Sequence, residues 1–286
     1  MSLSEASPLV STKWLNDHLD APDVRVVDAS WHLPSEKRDA FVEYKSAHIP
    51  GAAFFDIDEI AETESGLPHM LPSPTLFSSR VRKMGLGTGN KIVVYDTRGL
   101  FSAARVWWMF RVMGHRDVCV LDGGLPKWRA DGFPVEDLWP RQRERHFIAR
   151  VNRELVRDKD QVKSAIATGQ EQIFDARGSG RFRGEDPEPR EGMRSGHIPG
   201  SGSVPYASLL REDGTVKALD DLRALFTNAG LNFDQPVVTS CGSGVTACML
   251  TLALELLGKT DVAVYDGSWS EWGRSDDVDV ETGPAA

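Results

Sequence analysis

The stretch TSCGSGVTACML, residues 239–250, sets a cysteine, Cys241, before Gly242, Ser243, Gly244, Val245 and Thr246 and then an apolar run. A cysteine so placed has four chemical readings: inert core, metal ligand, phosphatase nucleophile or sulfur carrier. Glycines permit positive φ and let backbone N–H groups converge on one point. A helix starting just after the loop adds partial positive charge. Both effects stabilise a thiolate, and they would equally stabilise an anionic persulfide on the same sulfur. Cys119, in DVCVLD, and Cys248, inside the apolar run, read as buried and inert. Cys241 does not, because a Gly-rich turn is a poor place to bury a hydrophobe.

The alternatives narrow on residue types. A cysteine phosphatase cradles its dianion in a Cys-x5-Arg loop, with the guanidinium binding two oxygens at once. Here the arginine's place is taken by Ala247, and the loop carries no charge. It suits a single sulfur better than a phosphate. The three cysteines contain no Cys-x-x-Cys, which argues against a zinc site and against a disulfide framework. A second candidate group is GRFRGEDPEPREG, with Arg181, Arg183 and Arg190. A mixed-charge loop of this kind is either solvated or an anion fork.

The elements that must position these residues occur twice. VRVVDASW (24–31) recurs as EQIFDARG (171–178), and HIPG begins at both His48 and His197. KIVVYDTRGLFSAARVW (91–107) matches PVVTSCGSGVTACMLTL (236–252), and LDGGLPKW (121–128) matches YDGSWSEW (265–272). The offsets are 147 for Asp28 and Asp175, 149 for the histidines and 144 for Trp128 and Trp272. A near-constant offset of this length indicates a duplicated domain. Each copy alternates short β-branched runs with helical patterns, so each is an α/β domain with a mainly parallel sheet flanked by helices. IVVYD and PVVTS read as buried strands. SPTLFSSRVRKMGL and LDDLRALFTNAGL read as helices opening on a Ser or Asp cap and closing at Gly. SAARVWWMFRVMGH and VTACMLTLALELLGK read as largely buried helices. GLGTGN (85–90) stands between a helix and a strand, the wrong order for a dinucleotide fingerprint, and reads as a turn. The expected division is 1–142 for the first domain, 143–155 for a linker and 156–286 for the second.

Composition excludes several roles. The chain has 286 residues, 41% hydrophobic and 26% charged, with net charge −9. A surface this acidic argues against nucleic-acid binding, which needs a basic stripe. The one basic stretch, RQRERHFIAR (141–150), reads as a solvated linker. No stretch approaches 18 uninterrupted apolar residues, and the first 22 residues lack the basic start and apolar run of a leader. The expectation is a cytoplasmic protein without membrane attachment, its thiols reduced.

CGSGVTA, HIPGAAFFDID, RFRGEDPEPREG, GHIPG and YDGSWSEW together resemble the two-domain rhodanese superfamily, in particular its 3-mercaptopyruvate sulfurtransferases. The resemblance covers nearly the whole chain. It implies two tandem rhodanese-like domains and an enzyme that takes sulfur from 3-mercaptopyruvate as a Cys241 persulfide, releasing pyruvate. The acceptor would be cyanide or a thiol such as a reduced thioredoxin-like protein, with no cofactor and no metal. Arg181 and Arg190 match the family's substrate-binding arginines; Arg183 does not. Gly242, Ser243, Gly244, Val245 and Thr246 would line the substrate, with Ser243 polarising it or delivering a proton. In this subfamily the serine is grouped with a His and an Asp, for which His48 and Asp39 are the matching candidates; His48 has a twin in His197, which favours a role in the fold. A thiosulfate-preferring rhodanese would carry Arg and Lys just after the cysteine, where this chain has Gly242 and Ser243. The first copy has Asp96 in place of Cys241 and cannot carry sulfane sulfur, so it is expected to be catalytically silent. Thiosulfate:cyanide sulfur transfer and a non-catalytic, redox-sensing binding module are the competing readings.

Overall fold

The computed structural model describes residues 7–140 and 143–285. The first six residues of the N-terminal stretch, and Arg141 and Gln142 of the basic stretch, lie outside the described residues. The chain divides into two compact units. The first takes residues up to Glu62, Leu71–Asn152 and Arg211–Val216; the second takes Thr63–Met70, Arg153–Leu210 and the chain from Lys217 onward.

The first unit holds strands β1 (Leu9–Val10), β2 (Val24–Asp28), β3 (Ala53–Phe54), β4 (Lys91–Tyr95) and β5 (Val118–Leu121) in the order β1-β5-β4-β2-β3. The second holds β6 (Val156–Arg157), β7 (Gln172–Asp175), β8 (Gly202–Ser203), β9 (Val237–Ser240) and β10 (Val262–Tyr265) in the order β6-β10-β9-β7-β8. Both sheets are parallel throughout, and their orders are the same. The duplication read from the sequence is therefore a duplication of topology. Leaving β7, the chain pairs β8 on one side of it and then β9 on the other. The carboxyl ends of β7 and β9 thus flank the point where strand order reverses, which is where open parallel sheets form a ligand crevice.

The connecting helices are α1 (Thr12–His18), α2 (Ala40–Ser46), α3 (Pro74–Lys83), α4 (Ala103–Val112) and α5 (Gly124–Ala130) in the first unit. In the second they are α6 (Lys159–Thr168), α7 (Ser179–Arg183), α8 (Leu219–Asn228), α9 (Ala247–Leu256) and α10 (Ser268–Trp272). As their all-round apolar sequences require, α4 and α9 are buried over most of their length. Ser73 caps α3, its hydroxyl accepting from Leu76 N–H at 3.2 Å. Helix α8 departs from expectation. Its cap is Ala218, with no side-chain bond, while Asp220 and Asp221 sit in the first turn, where their charge favours the helix start. GLGTGN is a turn, with Gly85 at φ +74° closing α3 and β4 beginning at Lys91.

The stretch after residue 142, expected to be a solvated linker, lies along the first unit instead. Phe147 is buried among Phe77, Phe110 and His115. Arg150 N–H donates to Met113 O at 2.8 Å, and Asn152 N–H to Val112 O at 2.7 Å. One large apolar side chain and a run of backbone bonds outweigh the solvation of its charged neighbours.

The twin histidines serve their own units in the same way. His48 Nδ1 lies 2.7 Å from Tyr44 O, its ring stacked on Tyr44, and its backbone bridges Glu136. His197 Nδ1 lies 2.8 Å from Phe182 O, its ring stacked on Phe182, and its backbone bridges Glu281.

Candidate active site

Cys241 follows β9 directly, at the carboxyl end of the sheet. Its position is held by α10: the Cys241 N–H donates to Ser268 Oγ at 3.2 Å, and Trp269 N–H returns to Cys241 O at 2.9 Å. Ser270 donates to Gly242 O from both its N–H, at 2.8 Å, and its hydroxyl, at 2.7 Å. Ser268 takes φ +49°, a left-handed conformation that a serine adopts at a cost. Sequence reasoning passed over it, yet the repeat carries the signal, because the first copy has Gly124, at φ +52°, in the same place.

The turn itself needs Gly244, at φ +76°, before Thr246 opens α9 without any side-chain cap. Among the described residues, no protein acceptor takes the N–H groups of Gly242, Ser243, Val245 or Thr246. The hydroxyls of Ser243 and Thr246 are likewise without a protein partner, although both residues are buried. A loop with so many unspent donors is built to receive negative charge.

The first copy shows where such donors point. Asp96, the counterpart of Cys241, accepts from Arg98 N–H at 2.9 Å, from Phe101 N–H at 2.7 Å and from Ala103 N–H at 2.9 Å. Its carboxyl is pushed up by burial, and the three backbone donors oppose that rise. In the repeat alignment, the N–H groups of Ser243 and Thr246 correspond to those of Arg98 and Phe101. One copy fills its cradle with a fixed carboxylate; the other presents a sulfur there.

Burial does not single out Cys241. It is 2% exposed, against 3% for Cys119 and 0% for Cys248, so the expectation that a Gly-rich loop would leave it open is not met. The loop backbone is bonded to α10, and side chains of the same unit lie beside it. Those neighbours do distinguish it. Cys119 sits in the first unit's core, where burial pushes its thiol up to about 12. Cys248 Sγ lies 3.2 Å from Gly244 O inside α9. Cys241 instead lies within electrostatic reach of Arg177 and Arg190, and burial pulls the Arg190 guanidinium down.

The arginines come from the loop after β7. Arg181, on α7, brings its guanidinium against the Gly242 backbone: a Cβ placed on Gly242 would lie 3.2 Å from Arg181 Nη2 and 3.7 Å from Nη1. Arg190 reaches α10, with Nη1 3.5 Å from Ser270 Oγ. Arg183 faces away, 47% exposed and 4.0 Å from Glu185. The loop read as either solvated or an anion fork is thus divided: Arg181 and Arg190 converge on the cysteine loop and Arg183 does not. Two further residues went unnoticed in the sequence. Arg177 is enclosed, bound to Asp175 through Nε and Nη2 and to Glu188 through Nη1, with its plane over Trp269 at 4.3 Å. Glu188 also accepts from Arg181 Nη2 at 2.5 Å. The remaining candidates, His48 and Asp39, lie in the first unit. His48 is engaged as described above, and Asp39 caps α2 through Val42 N–H at 2.9 Å.

The model of the rhodanese-like domain matches residues 11–131 and again residues 158–275. The chain belongs to the rhodanese-like family. Each match covers four of the five strands of its sheet, starting just after β1 and just after β6, and they carry the Asp96 and Cys241 loops respectively. The chain is 43% identical over 273 residues to a 3-mercaptopyruvate sulfurtransferase of Escherichia coli K12, spanning 95% of this chain and 97% of that protein. It is 46% identical over 273 residues to a thiosulfate sulfurtransferase of Rattus norvegicus, spanning 93% and 92%. Among solved structures, SseA of Escherichia coli, described as a 3-mercaptopyruvate sulfotransferase of rhodanese fold, superposes with a TM-score of 0.85 at 41% identity, covering 93% of this chain and all of that one.

Proposed function

We propose that this rhodanese-like protein is a 3-mercaptopyruvate sulfurtransferase with Cys241 as its sulfur carrier. The observation that carries the reading is the meeting of a neutral cysteine loop with Arg181 and Arg190. A 2-oxo acid with one carboxylate is matched by guanidinium donors outside the loop. It needs no cation beside the sulfur, and Gly242 and Ser243 supply none.

In the proposed reaction, the Cys241 thiolate attacks the sulfur of 3-mercaptopyruvate. The carbon–sulfur bond breaks, its electron pair passes to carbon, and the pyruvate enolate so formed takes a proton to become pyruvate. Arg181 and Arg190 hold the carboxylate and the ketone oxygen on which enolate charge develops. Ser243, its hydroxyl uncommitted, polarises the substrate or carries the proton. The outer sulfur of the Cys241 persulfide rests against the loop N–H groups. An acceptor then attacks it and restores the thiolate: cyanide leaves as thiocyanate, and a thiol leaves as a persulfide. A reduced thioredoxin-like protein is the acceptor we favour, and the cytoplasm the compartment. Among the described residues, no helix is long and apolar enough to cross a membrane.

A second reading, thiosulfate as the donor, is favoured by the identity to the rat thiosulfate sulfurtransferase. Rates measured side by side with 3-mercaptopyruvate and thiosulfate decide between them. The proposal expects the larger kcat/KM with 3-mercaptopyruvate. A larger value with thiosulfate would replace it with the second reading, and turnover of neither donor would leave only a binding module.

A further inference from the structure

Glu188 differs from the other charged residues of its loop. Glu185 and Asp186 are exposed, yet the Glu188 side chain keeps 2% of its surface. Enclosing a carboxylate is costly unless donors or cations meet its oxygens, and Glu188 has a cation on each. Oε1 accepts from Arg177 Nη1 at 2.7 Å and Oε2 from Arg181 Nη2 at 2.5 Å. The two arginines are not equivalent. Arg177 is fully spent, its other donors going to Asp175 and to Gly196 O at 2.7 Å. Arg181 is not: its Nε is buried without a partner among the described residues, and its far end lies against Gly242. Glu188 is therefore the anchor that fixes the Arg181 guanidinium in place.

Glu188 also sets the charge of the site. Arg177, Arg181 and Arg190 face Asp175 and Glu188, which leaves one positive charge in excess among these side chains before the charge of the sulfur itself is counted; Arg274 stands at the exposed edge. Without the Glu188 charge the excess would be two. A dianion such as thiosulfate would draw more from a second.

We propose that Glu188 is the positioning and specificity residue of this site: its enclosed carboxylate holds Arg181 against Gly242 and cancels one arginine charge, so that a monoanionic sulfur donor is preferred over a dianion. The inference rests on Cys241 being the sulfur carrier.

The test compares Glu188→Gln, which keeps an acceptor and removes the charge, with Glu188→Asp, which keeps the charge and shortens the reach. For each, kcat/KM is measured with 3-mercaptopyruvate and with thiosulfate at low and high salt. Glu188→Gln should raise the thiosulfate to 3-mercaptopyruvate ratio about tenfold, and salt should erode the gain. Glu188→Asp should lower both rates at least about fivefold and hold the ratio within about threefold, because position is lost while charge is kept. An unchanged ratio in a folded Glu188→Gln protein overturns the specificity role, and unchanged rates in Glu188→Asp overturn the positioning role. Should the Gln variant not fold, the Asp variant alone decides, and unchanged rates or a shifted ratio reject the proposal. Turnover by the wild type is established first. Its absence refutes the proposed function, whereas the Glu188 inference fails only when the wild type turns over and its variants do not respond as stated.

Discussion

Replacing Gly242 by alanine separates the roles of the loop's two key glycines. Gly242 has no positive φ, so alanine fits its backbone without strain and, by reducing the freedom of the unfolded chain, should leave stability unchanged or slightly raised. The new methyl would stand 3.2 Å from Arg181 Nη2, closer than ordinary contact. The guanidinium must yield by a few tenths of an ångström while Glu188 still holds it at 2.5 Å. A charge-assisted hydrogen bond is worth about 1.5–3 kcal/mol, and a displacement of this size forfeits only part of it, about 1–2 kcal/mol. That corresponds to roughly a 5- to 30-fold loss in kcat/KM for 3-mercaptopyruvate, mostly in KM, because the carboxylate is bound in the ground state too. Gly244→Ala is the contrast. At φ +76° it forces a left-handed alanine, which costs about 1–2 kcal/mol of folding free energy and lowers Tm by several degrees. Pyruvate release and thermal unfolding of both variants are the assays. If Gly242→Ala keeps kcat/KM within about twofold of the wild type, Arg181 does not contact the donor.

Arg181→Ala and Arg190→Ala should each lower kcat/KM for 3-mercaptopyruvate roughly 10- to 150-fold, while Arg183→Ala, exposed and weakly paired, should change it less than about threefold; equal losses in steady-state assays would indicate general damage to the loop. Asp28 is enclosed in the first unit, and burial pushes its carboxyl up to about 6. A raised carboxyl penalises the folded state only when ionised, so the penalty is absent below about pH 4, grows between about 4 and 6 and reaches about 3 kcal/mol above that. Denaturant unfolding should accordingly show Asp28→Asn gaining on the wild type as pH rises through this window, and parallel pH profiles would contradict it. Asp96→Ala orphans three backbone donors at about 1–3 kcal/mol each and should lower Tm markedly; an unchanged Tm would show that the Asp96 cradle does not hold the first unit together.

Much of the fold was legible in the sequence because it is written twice. Four pairs of landmarks at a near-constant spacing identify the duplication, and IVVYD and PVVTS are long enough apolar runs to mark the central strands. The Cys241 loop was legible because its glycines have no other reason to follow a strand. What was not legible depends on partners distant in sequence. Glu188 and Arg177 look solvated in a run of alternating charges, and only the fold shows that they enclose each other. The backbone of Cys241 is held by α10, some 27 residues further on, whose Ser268 accepts from the cysteine N–H. The arm around Phe147 was hidden by its arginines, which outnumber the single aromatic that docks it. Ala218 offers no capping side chain, so the start of α8 had no local signal.

The central claim is that sulfur passes through Cys241. The most direct measurement is the intact mass of the protein after brief exposure to 3-mercaptopyruvate without an acceptor. The account predicts a single addition of ~32 Da, one sulfur, on the wild type and on Cys119→Ser and Cys248→Ser, and none on Cys241→Ser. A thiol acceptor should remove the added mass and restore the original. Sulfur retained on Cys241→Ser, or pyruvate released by that variant at the wild-type rate, would contradict it.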